Sequence, residues 1–162
     1  MADNSPGGIA GLVLRFALRL LQFVLALTVC GLYGQDLRNA AAAGVYSDSK
    51  WIYAVVVGSI SAVTCVVYAL PIVTSHLFFA WDALLWILWV AVFGVFGKLY
   101  IHEDPEVVNP KDGHGPGVQR MKNAVWVDLV NMLLWFITAV IGVVIFFLGR
   151  RAKTLHTGRS KV

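Results

Sequence analysis

Four long apolar runs alternate with polar segments along the chain. They cover about residues 11–33, 51–73, 77–101 and 124–148. A run of about twenty apolar residues in an α-helix crosses the roughly 30 Å hydrocarbon core of a bilayer. The pattern therefore predicts an all-α fold: a bundle of four transmembrane helices with both termini on the same side. Residues 1–8 read as a disordered polar leader, 9–150 as one membrane domain and 151–162 as a basic cytoplasmic tail. Only Thr74, Ser75 and His76 separate the second and third runs, so these two helices are predicted to be antiparallel neighbours. Segments 34–50 and 102–123 read as loops, the second because it holds Pro105, Pro110, Gly113, Pro116 and Gly117.

Within each run one stripe is polar or small. At 100° per residue, Arg15, Arg19, Gln22, Ala26, Cys30 and Tyr33 of the first run share about 80° of arc. Ala54, Gly58, Ser61, Cys65 and Tyr68 do the same in the second. In the third run the stripe is Asp82, Trp86, Trp89, Phe93 and Gly97, with Lys98 about 160° away from Asp82. In the fourth it is Asp128, Asn131, Trp135 and Gly142. These stripes are predicted to face inward, with Gln22, Ser61 and Asn131 as the polar bundle face. Gly58 with Ala62, and Gly94 with Gly97, supply small residues where helices approach closely.

Charges inside the runs demand partners, because a charge at the centre of a span is unfavourable by roughly 3 kcal/mol. Alternating helix directions put the starts of the first and third runs at one level. Asp82 is therefore predicted to pair with Arg19 or Arg15. By the same logic Lys98, near the end of the third run, faces Asp128, near the start of the fourth. Both pairs are expected to be structural, fixing register.

Composition agrees with the pattern. Of 162 residues, 59% are hydrophobic and only 14% charged, against about 25% charged in soluble domains. The formal charge of +4 would raise nucleic acid as a partner in a soluble protein. Here the excess comes after the last run, as Arg150, Arg151, Lys153, Arg159 and Lys161 with no acid among them. That cluster points to anionic lipid headgroups, and no nucleic-acid-binding motif is present. It also places the termini in the cytoplasm. The total of Lys and Arg, seven on the terminal side against six on the other, decides less than this concentration.

No catalytic constellation emerges. His76, His102, His114 and His156 all lie outside the apolar runs, where a haem-binding bundle would need them inside. Cys30 and Cys65 sit at different depths and form no paired motif. No spacing matches a metal site. The chain reads as a non-enzyme without a cofactor.

The third run, the start of the fourth and the residues just before it also carry a resemblance. WDALLWILW and FGVFGKLYI, then RMKNAVWVDLVNMLLWFITAV, resemble fungal MARVEL-domain proteins over about residues 9–150. The matching positions include Trp81, Asp82, Trp89, Gly94, Gly97, Lys98, Met121, Trp126, Asp128, Asn131 and Trp135. The resemblance implies a four-helix membrane protein with cytoplasmic ends, at the plasma membrane or on secretory vesicles. It further implies a role in membrane organisation, apposition or vesicle traffic without catalysis. Lateral self-association through Gly58/Ala62 or Gly94/Gly97 would fit. The alternative is a small transporter or channel using Asp82, Asp128 and Asn131, since ionisable residues in spans are often functional.

Overall fold

The computed structural model describes residues 9–46, 48–69, 78–102 and 115–157. They form four α-helices: α1 (Ile9–Ala42), α2 (Ser49–Ala69), α3 (Phe78–Tyr100) and α4 (Gly115–Thr157). No strand occurs among the described residues. All four helices are long and apolar enough to cross a membrane. The leader, residues 70–77, the segment 103–114 and residues 158–162 lie outside the described part, and with them His76, His114, Arg159 and Lys161.

The helices form a ring in which α1 packs on α2 and α4, and α3 on α2 and α4. The α1/α2 and α3/α4 seams are the closest and the α2/α3 seam is the sparsest. Side-chain contacts fix the directions. Tyr33 meets Phe96 and Arg19 meets Asp82, so α1 and α3 run parallel. Gln22 meets Thr138 and Tyr33 meets Asp128, so α4 runs against α1. The start of α1 and the end of α4 thus share one end of the bundle.

Two helices are longer than the apolar runs predict. The first run ends near Tyr33, but its helix continues through LRNAAA to Ala42. These residues are mostly good helix formers. The stop comes from Gly44, at φ 65°. Val45 N–H donates to the Ala40 carbonyl at 3.0 Å and Gly44 N–H to that of Ala41 at 3.2 Å. This paired closure is the Schellman motif, and glycine takes its left-handed position without strain. At the other end of the turn, Asp48 caps α2 by accepting from the Lys50 backbone N–H at 3.2 Å.

The fourth helix is expected from Ala124. It starts nine residues earlier, at Gly115, and runs to Thr157. Pro116 stands in its first turn, where its fixed φ suits a helix and its missing N–H costs nothing. The 34 residues of α1 and 43 of α4 give about 51 Å and 65 Å at 1.5 Å per residue. Both outreach a 30 Å core. Where they emerge together, beyond the end of α3, Arg120 of α4 is ion-paired with Asp36 of α1.

The inward faces follow a 3-4 spacing that differs in detail from the expected stripes. In α1 the buried line is Gln22, Ala26, Val29 and Tyr33, while Arg15 is exposed. In α3 it is Asp82, Leu85, Trp89, Val92 and Phe96. Trp86 and Phe93 turn partly outward, and Trp86 packs on Phe136 of α4 at 5.2 Å. Steps of four rotate the expected stripe off the core, because their sum outruns the helical repeat.

Candidate functional site

Buried polar groups gather at two levels of the bundle. The first level joins all four helices. Arg19 of α1 sends Nη2 to Asp82 Oδ2 of α3 at 2.5 Å and Nη1 to Gln22 Oε1 at 3.1 Å. Gln22 Nε2 donates to Thr138 Oγ1 of α4 at 3.3 Å, and that hydroxyl donates to the Trp135 carbonyl at 3.1 Å. The guanidinium lies over the rings of Tyr68 on α2, at 4.5 Å, and Trp135 on α4, at 5.2 Å. Asp82 is 2% exposed, so its charge faces Arg19 rather than lipid. Of the two arginines weighed for this aspartate, Arg19 reaches it and the exposed Arg15 does not. The cluster holds charge, hydrogen bonds and cation–π contact in one plane.

The second level differs from the expected one. Lys98 is expected to pair with Asp128, but Lys98 is exposed. Asp128 is fully buried and accepts from the Tyr33 hydroxyl of α1 at 2.6 Å. The reason is rotational. Asp128 shares the inward line of α4 with Asn131 and Trp135, whereas Lys98 lies two residues past Phe96, about 200° round α3 from the core. Its chain can reach toward the helix end and the headgroups.

Some polar atoms at both levels are buried without a hydrogen-bond partner: Asp82 Oδ1 and Trp135 Nε1 at the first, Asp128 Oδ1 and both side-chain heteroatoms of Asn131 at the second. Each such group disfavours the folded state by about 1–3 kcal/mol. A third polar contact lies between the levels, where Trp89 Nε1 donates to Ser61 Oγ at 3.0 Å. Trp81 Nε1 donates to Thr64 Oγ1 at 3.1 Å on the outer side of α2 and α3.

No family model, curated protein or solved structure matches this chain.

The small residues have different destinations. A Cβ on Gly58 would stand 2.7 Å from Cys30 Sγ and 3.2 Å from the Ala26 carbonyl oxygen. Gly58 is thus the close-approach point of α2 on α1, with Ala62 buried one turn on. That face is used within the chain and is closed to a second copy. Gly94 is exposed, with nothing within 4 Å of an added Cβ. Gly97 is buried, and the atoms nearest an added Cβ there belong to Ile101 and Phe93, at 3.3 and 3.9 Å. Gly142, placed on the polar stripe of α4, is instead a tight contact: a Cβ there would lie 2.7 Å from Phe79 Cβ.

At the basic end, Arg150 and Arg151 continue α4 and are exposed. Arg150 lies over the Phe146 ring at 5.2 Å. Lys153 is also on this helix.

Several of these contacts are not evident from the sequence. The polar stripes include Tyr33 and Tyr68 but name no partner for them. Thr138 lies three residues beyond Trp135 on the same face, a signal that the spacing does contain. Asp36 and Arg120 fall in segments that read as loops, so nothing suggests that they meet. Among the described residues no three His, Cys, Asp or Glu side chains gather as metal ligands would.

Proposed function

We propose that this multi-pass membrane protein is a non-enzymatic organiser of the MARVEL type, acting in membrane-domain assembly, membrane apposition or vesicle traffic. What carries the reading is the use made of the buried polar groups. Arg19 is turned to Asp82, Tyr33 to Asp128 and Trp89 to Ser61. These are contacts between helices of the same bundle, as in a scaffold whose polar groups hold its own helices in register. Its outer faces carry large apolar side chains on every helix, among them Phe16, Val63, Ile87 and Phe147. They are suited to lipid. In this reading the ends of the chain are cytoplasmic, and Arg150, Arg151, Lys153, Arg159 and Lys161 engage anionic headgroups of the inner leaflet. Self-association would use the open face at Gly94.

The test is localisation of a tail-tagged copy in living cells, with and without the basic residues 150–161. Patchy plasma-membrane or vesicle labelling that becomes diffuse on neutralising these residues supports the organiser. Uniform labelling that ignores them sinks it.

A second reading, a small transporter or channel, draws on the unpartnered atoms of Asp128 and Asn131. Substrate-dependent uptake or current in reconstituted vesicles, lost in Asn131→Leu, would favour it.

A further inference from the structure

Near the level where α3 ends, the last turns of α1, the turn after it and the first turn of α2 line an open pocket of about 370 Å³. Asp36, Leu37, Ala40, Tyr46, Asp48 and Trp51 line it. It lies at the rim of the span. Trp51 stands edge-on to Phe96 at 5.6 Å, one turn before α3 ends at Tyr100, the level of headgroups and interfacial aromatics.

Two kinds of group meet there. Tyr46 is 89% exposed, and with Trp51 it offers aromatic surface beside two carboxylates. Each carboxylate has a base next to it: Asp36 has Arg120, and Asp48 has Lys50 at 2.9 Å. Lys50 holds the Asp48 carboxyl below the ordinary range through its side-chain and backbone hydrogen bonds, so Asp48 is ionised at neutral pH. The surroundings are therefore charge-balanced, with both signs within reach of one cavity. The indole N–H of Trp51 is buried and makes no hydrogen bond.

We infer that this pocket binds a zwitterionic ammonium–phosphate group, as carried by the headgroups of phosphatidylcholine and phosphatidylethanolamine. The ammonium sits against Tyr46 and between Asp36 and Asp48, where carboxylate charge and ring faces both favour a cation. The phosphate lies toward Lys50 and Arg120, the bases beside the two carboxylates. A headgroup bearing phosphate without a cation would leave the aromatic and acidic wall unmatched. This site is distinct from the basic end of α4, which lies at the opposite end of the bundle. The inference rests on the membrane-spanning fold and not on the organiser role, so the localisation test can fail while this one succeeds.

The experiment uses the full chain in detergent micelles or nanodiscs with acyl-chain spin-labelled phosphatidylcholine, phosphatidylethanolamine or phosphatidylglycerol. The readout is the motionally restricted fraction of each lipid. Either zwitterionic lipid should be held more strongly than phosphatidylglycerol by about threefold, the scale of one exposed cation–π contact. Tyr46→Ala and Asp48→Asn should each reduce that preference, while Tyr46→Phe retains it. Both positions are outside the buried core, and unchanged thermal unfolding of the variants checks that the fold is intact. Dissolved phosphocholine or phosphoethanolamine is the second arm. If it displaces the labelled lipid at millimolar concentration, the headgroup chemistry alone suffices. If it does not while the lipid preference stands, the ligand is the lipid held also by its chains. Equal retention of all three lipids, or a preference untouched by Tyr46→Ala, overturns the proposal.

Discussion

Asp82 and Asp128 are both buried aspartates on inward helix faces, one near each end of the span, yet they meet different partners. Asp82 finds a cation from α1, bound at 2.5 Å and flanked by Gln22 and two aromatic rings. Asp128 finds a neutral phenol, also from α1, while in both aspartates Oδ1 is buried without a hydrogen-bond partner. The heptad line of α1 explains the pairing. Arg19 and Tyr33 are fourteen residues apart, two heptads, and therefore lie on the same face. The helix that supplies Arg19 at one level must supply Tyr33 at the other. A charge elsewhere on α3, such as Lys98, has no route to Asp128 however well its depth matches.

The largest expected effect comes from breaking the first level. Arg19→Leu leaves the Asp82 charge buried without its cation and should destabilise by about 3–5 kcal/mol. Thermal or denaturant unfolding of the purified protein in micelles measures this. The double variant Arg19→Leu/Asp82→Leu should recover most of the loss, because no unpaired charge remains. A double variant as unstable as the single one would show that the pair adds net stability of its own.

Breaking the second level should do less. Tyr33→Phe removes one interhelical hydrogen bond and keeps the ring on Phe96, so a loss of about 1–2 kcal/mol is expected by the same unfolding measurement. A loss as large as that of Arg19→Leu would mean that Asp128 carries a fixed charge dependent on Tyr33. The two levels would then be equivalent.

These outcomes bear on what the chain itself discloses. Four apolar runs, their antiparallel order and the pairing of Asp82 with an arginine of the first run are legible, because hydropathy and depth determine them; that it is Arg19 and not Arg15 is not. The partner of Asp128 is not legible from depth. It depends on rotation, and a stripe drawn through Trp86 and Phe93 errs by a fraction of a turn where Leu85, Val92 and Phe96 form the true line. The extension of α1 to Ala42 is hidden for another reason. Hydropathy marks where lipid ends, not where a helix ends, and the stop signal is the AAAAG sequence closing at Gly44. The start of α4 at Gly115 is masked by Pro116, which suggests a loop until it is recognised as a first-turn residue.

Asn131 sharpens the comparison, because it stands one turn inward of Asp128 with no hydrogen bond to either side-chain heteroatom. Leucine is close to asparagine in length and wants nothing from its neighbours. Asn131→Leu should be within about 1 kcal/mol of wild type, or more stable, since replacing an unmatched polar group by an apolar one is often neutral or favourable. A loss above that size would show that the amide is bonded in the membrane, through water or a bound solute. The second level would then be a polar site in use rather than an imperfectly matched layer.

The smallest expected effect belongs to Lys98. Depth alone makes it the natural partner of Asp128, and removing it should then strand a buried charge, with a loss comparable to that of Arg19→Leu. Rotation makes it a surface residue, exposed on α3 while Asp128 is closed off behind Tyr33. Lys98→Ala should therefore change stability by less than about 0.5 kcal/mol, the range of surface substitutions. Combined with Asp128→Asn, it should show no coupling energy, since residues that share no contact add independently. A double-mutant cycle in micelles reads both quantities at once. Coupling above about 0.5 kcal/mol would mean that Lys98 reaches Asp128 after all. The two ends of the bundle would then be built alike, each from a buried aspartate and a cation.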